Sequence, residues 1–358
     1  MKKEGGKMES RNLAADKKFA DLKIRLATFG MVMSLISAIT LVIFQNFNAA
    51  AQDNVFGTFE TSTLTNFMLV LMMLAICEGS GGIMVIIFNK VYNGIPLREY
   101  PRVWRVKISW TVLISALVAG PIATACTVSG VYYCGSTYAN IILTLMVVFT
   151  AIGGQIFLKE RVNPRMYFGV ALVVLGCIIA GWAKPEAIES GAFYFGIALC
   201  LIAALGFAAE AVISTHAMDV CDPMELCGMY RMVGAALIEI LVAVGVAAVT
   251  GNLPLLGAVI GYIFHTPLVL LFLLLTGFFQ AWQYGLAYTS WHYCGAVRSN
   301  VLIWSTPIWS IPIGPIFAKM GILDYNVTML AIVGAIIVVF GVVLVNCKPS
   351  ELFNLRKM

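Results

Sequence analysis

The sequence predicts an all-α polytopic membrane protein with ten transmembrane helices arranged as two inverted five-helix repeats. Three observations carry this. Of the 358 residues, 60% are hydrophobic and 11% charged, against about 25% charged in an average soluble domain. Apolar runs of membrane-crossing length, about 20 residues, recur along the chain. And one phrase is written twice, as YYCGSTYAN from Tyr132 and as HYCGAVRSN from His292, with Tyr133/Tyr293, Cys134/Cys294, Gly135/Gly295 and Asn140/Asn300 all separated by 160 residues.

Taken in order, the apolar runs give spans at 24–45, 66–89, 108–130, 136–158, 166–183, 193–218, 227–250, 267–290, 295–318 and 326–347. The repeated phrase sits at the two shortest turns, between spans three and four and between spans eight and nine. The head MKKEGGKMESRNLAADKKFADLKIR carries eight of the 23 Lys and Arg residues. Its mixed charge and scarcity of aromatics predict a mobile cytoplasmic tail over 1–23, and the full span behind it argues against a cleaved signal. The two repeats then occupy 24–184 and 193–348, and 349–358 forms a cytoplasmic tail.

The charge distribution fixes the orientation. With the amino terminus inside, the head, the loop after span two (Lys90, Arg98, Arg102, Arg105, Lys107) and the loop after span four (Lys159, Arg161, Arg165) place 16 of the 23 basic residues on the inner side. This is the positive-inside pattern. No Lys or Arg occurs between Arg231 and Arg298. Five spans per repeat is an odd number, so a second copy enters the membrane upside down and its equivalents of the basic loops face outward. Inverted repeats of this kind are common in secondary transporters. Further echoes support the duplication: Gly169/Gly176 and Gly334/Gly341, the following Lys184-Pro185 and Lys348-Pro349, "LISA" at Leu35 against "LIAA" at Leu201, and Glu78 against Glu239.

The stretch FLKERVNPRMYFGVALVVLGCIIAGW, with Glu160, Arg161, Gly169 and Gly176, resembles the end of a repeat in the drug/metabolite transporter superfamily, EamA-like branch. The second copy keeps the glycine helix and departs at the acidic position, where Met320 stands. The resemblance spans roughly 24–347. It implies a ten-span carrier with a central cavity and both termini cytoplasmic. It also implies a substrate drawn from a broad range: amino acids, aromatic metabolites, sugars, nucleotide sugars or drugs.

Ionisable residues inside spans are costly and face a cavity or a partner. Glu78 and Glu239 are the most informative. In one reading they bind a cation or couple protons; in the other a neutral or Arg-paired glutamate fastens two helices. Glu78, followed by Gly79, Ser80, Gly81 and Gly82, is the leading coupling candidate, the glycines leaving room for a ligand or allowing close helix packing. Glu239 is expected to share Arg231, eight residues earlier. Glu210 lines the cavity or packs, with Gln45 and Asn46 near the equivalent place in span one. Arg298 opens span nine. Among the late aromatics, Tyr288, Trp304 and Trp309 are candidates for substrate contact, the last two because Pro307, Pro312 and Pro315 loosen their helix. Asn140 and Asn300 either line the pathway or tie their turns to a neighbouring helix. His216, Asp219, Asp222 and Glu225 read as a solvated acidic loop.

The nine cysteines lack metal-ligand spacing and read as small packing residues; inversion keeps Cys134 and Cys294 apart. No Walker A, HExxH or GxSxG motif is present, so no cofactor, metal or catalytic residue is expected. The expected function is secondary transport by alternating access, as exporter of a small polar or amphipathic metabolite that is amino-acid-like, aromatic or cationic. A sensor on a carrier fold is the alternative. The expected partners are a small-molecule substrate, protons as the coupling ion and the lipid bilayer, with no nucleic acid and a homodimer left open. The expected site is the inner (plasma) membrane.

Overall fold

A computed structural model describes residues 2–59, 62–103, 105–157, 164–182, 185 and 188–346. Glu160, Arg161, Lys184, Cys347, Lys348, Pro349 and the carboxyl-terminal tail lie outside them. The described residues are helical without strands, and the protein is an all-α multi-pass membrane protein. Eight helices are long and apolar enough to cross a membrane, and the ten expected spans all fall on helices. Spans one to four are Lys2–Thr58, Thr63–Tyr92, Ser109–Cys134 and Ser136–Phe157; span five is Pro164–Trp182. Spans six to eight are Ser190–Ala217, Pro223–Val249 and Pro267–Cys294. Span nine, Arg298–Lys319, and span ten, Met329–Asn346, complete the set. The uniformly apolar stretches of spans five and ten, Tyr167–Ala180 and Met329–Leu344, are shorter than the rest.

Three features depart from the sequence reading. The head is helical and continuous with span one, which runs unbroken for 57 residues to Thr58, past the expected end at residue 45. Nothing in ADLKIRLATF or FNAAAQDNV breaks a helix: the stretch holds no proline and its alanines favour continuation. Second, the segment between spans seven and eight contains an apolar helix, Leu253–His265, opened by Pro254 in its first turn. Third, span four is interrupted at Thr144.

The helix contacts follow a twofold pattern. Span one packs on span eight as span six packs on span three, while spans two and seven, four and nine, and five and ten pack on one another. Residues 160 apart meet where the two units cross: Thr124 Oγ1 lies 3.3 Å from the Tyr284 hydroxyl, and Thr144 Oγ1 donates to the Trp304 carbonyl at 3.3 Å. Equivalent residues can touch only close to the axis that relates them. Both crossing helices break there, span four at Thr144 and span nine at Trp304–Ser305.

The repeated phrase has a structural explanation. Gly135 (φ 85°, ψ 151°) and Gly295 (φ 80°, ψ 157°) end their helices in the same positive-φ conformation, which costs glycine little and other residues more. The preceding Tyr-Cys pair packs against a glycine of the other repeat. A Cβ at Gly196 would lie 3.0 Å from those of Tyr133 and Cys134, and one at Gly30 would lie 3.2 Å from that of Tyr293. Cys134 and Cys294 are both free thiols, each buried against its own glycine.

The seven-spaced glycines form the contact between spans five and ten. A Cβ at Gly176 would lie 2.7 Å from the Gly334 carbonyl oxygen and 2.6 Å from Val338, and one at Gly341 would lie 2.8 Å from the Gly169 carbonyl oxygen. Without a hydrophobic drive between helices in lipid, such close approach supplies the attraction. Gly176→Val is expected to lower stability by about 1–3 kcal/mol through overpacking, read as a lower melting temperature in detergent. Gly245→Ala, whose Cβ meets nothing within 4 Å, is expected to leave the melting temperature unchanged or slightly raised.

Candidate functional site

The centre of the bundle holds one arginine and three glutamates: Arg231, Glu78 and Glu239 are fully buried and Glu210 is 1% exposed. Two of the elements that position them are π-helical, Ala119–Thr124 in span three and Leu226–Gly234 in span seven. Such wide turns inside α-helices recur at functional sites. Arg231 lies within the second, and Thr124 closes the first.

Arg231 is held on every side. Its Nη1 donates to both oxygens of Glu78, at 3.0 and 2.9 Å, and its Nε lies 2.7 Å from Glu210 Oε1. Its Nη2 donates to Thr124 Oγ1 at 2.9 Å and also to the Tyr284 hydroxyl. The guanidinium carbon sits 4.0 Å from the centre of the Tyr284 ring, in cation–π range. Gln280 Nε2 donates to Glu78 Oε1 at 2.9 Å, and the Tyr288 hydroxyl donates to Glu210 Oε1 at 3.0 Å while lying 3.2 Å from Ser214 Oγ. The carboxylate of Glu239, by contrast, has no hydrogen-bond partner among the described residues. A Cβ at Gly120, in the first π-helical turn, would lie 3.3 Å from its Oε1.

The cluster is closed to solvent. A cavity of about 790 Å³ lies elsewhere, between spans one, two and eight, walled by Phe29, Met84, Phe88, Tyr92, Trp282 and Tyr293. The segment Asp222–Met224 closes one side of it, and Met224 rests on span eight, its sulfur 3.7 Å from Thr289 Oγ1. The opposite face of that helix carries Tyr284 and Tyr288 into the charged cluster.

Comparison with known proteins locates this architecture. Residues 28–182 match the model of the EamA-like transporter family. The matched segment is similar to an EamA-like transporter unit. The match, together with the transporter-like relative below, supports a likeness to the drug/metabolite transporter superfamily. An uncharacterized transporter of Archaeoglobus fulgidus is 23% identical over 223 residues, covering 61% of this chain and 71% of that protein. Protein LicB of Haemophilus influenzae is 25% identical over 126 residues, and the match covers 34% of this chain and 42% of LicB, less than half its length. A crystal structure of a further protein, 12% identical, aligns over 87% of this chain and 96% of its own with a TM-score of 0.52; it shows a shared fold.

The structure reverses the pairing expected of the two glutamates. Glu78, read as the unpaired coupling group, is the one fixed by Arg231. Glu239, read as sharing Arg231, is the one left alone. The glycines after Glu78 are filled by packing: a Cβ at Gly81 would lie 2.6 Å from the Gly277 carbonyl oxygen, and one at Gly82 2.7 Å from Val233. Glu210 and Tyr288 join the cluster. Asn140 donates to Gln45 Oε1 at 2.9 Å, and Asn300 accepts from the Trp291 indole at 2.8 Å, so each ties a turn to another helix. Trp304 is buried at the break in span nine with its ring 5.7 Å from that of Phe207, and its indole nitrogen has no partner among the described residues. Trp309 is half-buried and donates to Ser305 Oγ at 3.2 Å. Arg298 is half-buried beside the Cys294–Gly295 turn. His216 is exposed, 3.6 Å from Asp219.

Sequence reasoning missed Thr124, Gln280 and Tyr284. The offset of 160 would have paired Thr124 with Tyr284, and Gln280 lies one helical turn before Tyr284. Removing Arg231 strands two buried carboxylates, which typically costs about 3–5 kcal/mol. Arg231→Met is therefore expected to lose most folded protein on size-exclusion chromatography. Adding Glu78→Gln and Glu210→Gln to it is expected to restore much of the folded peak. Glu239→Gln, which breaks no bond, is expected to elute and melt like the wild type.

Proposed function

We propose that the protein is a secondary transporter of the inner (plasma) membrane, with both termini cytoplasmic, that exports a small polar or amphipathic molecule in exchange for protons. The observation that carries this reading is the carboxylate of Glu239, with neither oxygen hydrogen-bonded among the described residues, beside a cluster in which Arg231 meets Glu78 and Glu210. A lone carboxylate in a low-dielectric interior is expensive. One guanidinium neutralises one of three carboxylates, so two compensating positive charges are required. Protons supply them in one state of the cycle, and a cationic substrate supplies them in another. Protons running inward then drive the substrate outward.

The broken helices of spans four and nine support alternating access, since interrupted spans near mid-membrane supply binding groups in carriers. The aromatic walls of the cavity beside span eight support a substrate with an apolar or aromatic body. The concentration of basic residues in the head and in the loops after spans two and four supports the orientation.

The test uses protein reconstituted in sealed liposomes with a pH-sensitive dye inside and an imposed pH gradient. Substrate candidates come from a stabilisation screen. Substrate addition is expected to move protons in the wild type, and Glu239→Gln is expected to lose this gradient-driven exchange at least tenfold while still binding. Substrate binding without solute or proton flux in the wild type would contradict the proposal and favour a sensor. Wild-type exchange in Glu239→Gln would remove Glu239 from the coupling step.

A further inference from the structure

Span one presents Gln45, Asn48 and Gln52 along one stripe, since seven residues bring an α-helix back to nearly the same face about 10 Å further on. All three are at most 1% exposed, and so are Asn140 of span four, which bonds Gln45, and Thr127 of span three, which precedes the Val128 carbonyl that Gln52 reaches. Gln52 Nε2 donates to Asn48 Oδ1 at 2.6 Å and to the Val128 carbonyl at 3.3 Å, and Asn140 Nδ2 donates to Gln45 Oε1 at 2.9 Å and to the Ser136 carbonyl at 2.8 Å. Asn48 Nδ2 reaches only a sulfur, that of Cys77, at 3.8 Å. Four polar atoms of this group have no partner among the described residues: Gln45 Nε2, Gln52 Oε1, Asn140 Oδ1 and Thr127 Oγ1. Each such atom costs about 1–3 kcal/mol when buried, and natively buried polar groups are otherwise almost always paired.

The other half of the molecule supplies an internal comparison. Asn300 is the counterpart of Asn140 at offset 160, follows the same glycine turn and is equally buried. There the amide is satisfied at both ends, its oxygen by the Trp291 indole at 2.8 Å and its nitrogen by Thr150 Oγ1 at 3.3 Å. A carboxamide whose task is to tie down this turn can thus be fully paired in this fold. The group around Asn140 adds four further carboxamide or hydroxyl residues on two other helices and leaves four atoms open.

We propose that Gln45, Asn48, Gln52, Thr127 and Asn140 form a binding subsite for an uncharged, multiply hydroxylated part of the transported molecule. The proposal rests on the reading of the protein as a carrier. The open atoms are one amide donor, two amide acceptors and one hydroxyl that does either, and a hydroxyl group complements all of them. No member of the set is ionisable, so the group bound there is neutral. The subsite shares no residue with the Arg231 cluster and adjoins it where Asn48 meets Cys77, the neighbour of Glu78.

The test is melting of the full-length protein in nanodiscs at constant pH against glycerol, myo-inositol, glucose and uridine, with cyclohexanol as the probe that keeps a six-membered ring and loses all but one hydroxyl. At least one polyol is expected to raise the melting temperature saturably, and cyclohexanol is not. The saturable shift is expected to vanish in the Gln45→Leu/Asn140→Leu pair and in the nearly isosteric Thr127→Val, and to persist in Glu239→Gln. General stabilisation by excluded solutes is non-saturating and equal in all variants. Removing both members of a bonded amide pair keeps the fold better than removing one; should the pair not fold, Thr127→Val gives the same readout. No saturable shift with any polyol, or one that survives in Thr127→Val, would overturn the subsite. Because the readout is binding, its loss leaves proton coupling at Glu239 intact as a separate question.

Discussion

The interaction on which the rest depends is the contact of Arg231 with both Glu78 and Glu210. A guanidinium buried at the centre of a membrane bundle is tolerable only if its donors are used and its charge is met. Spans two, three, six, seven and eight each bring a side chain to it: Glu78, Thr124, Glu210, Arg231 itself and Tyr284. These five helices are thereby fixed relative to one another at one point. The glycine contacts, at Gly81 and Gly82 around this point and at Gly176 and Gly334 between spans five and ten, bring the backbones close enough for such short side chains to meet.

That arrangement also explains the asymmetry between the halves. The repeat would place Glu78 and Glu239 in equivalent roles, yet a single arginine serves only one of them. Duplication supplied two similar frameworks, with matching glycine turns at Gly135 and Gly295 and matching breaks at Thr144 and Trp304. Differences at single positions then made the halves distinct: a carboxylate held by Arg231 in one, an unpartnered carboxylate in the other, an open amide cluster around Asn140 and a satisfied one around Asn300.

Much of the fold was legible in the sequence, because membrane spans are written as length and apolarity and the duplication as an exact offset. The ten spans, the turn glycines and the span five to span ten glycines could all be read this way. The ends of span one could not, since charge and polarity in the head and in FNAAAQDN do not stop a helix that has no breaker. The partner of Arg231 was hidden for a different reason. Arg231 and Glu239 are eight residues apart, which in a regular α-helix suggests neighbouring turns of one face. The π-helical segment Leu226–Gly234 changes the register between them, and the true partners are 153 and 21 positions away in sequence, on other helices. The break in span nine was signalled by Pro307; the one in span four, at Leu143-Thr144-Leu145, carries no local signal and is visible only through its offset from Trp304.

The central claim is that Arg231 occupies Glu78 and Glu210 and leaves Glu239 as the exchangeable group. A membrane-soluble carbodiimide tests this directly, because it adds to a carboxyl group that carries a proton in an apolar setting and spares a carboxylate held in an ion pair. The labelled protein is digested and the modified glutamates are mapped by mass spectrometry. The account expects modification at Glu239, protection of that site by bound substrate, and little at Glu78 or Glu210. Preferential labelling of Glu78, with Glu239 unreacted, would contradict it.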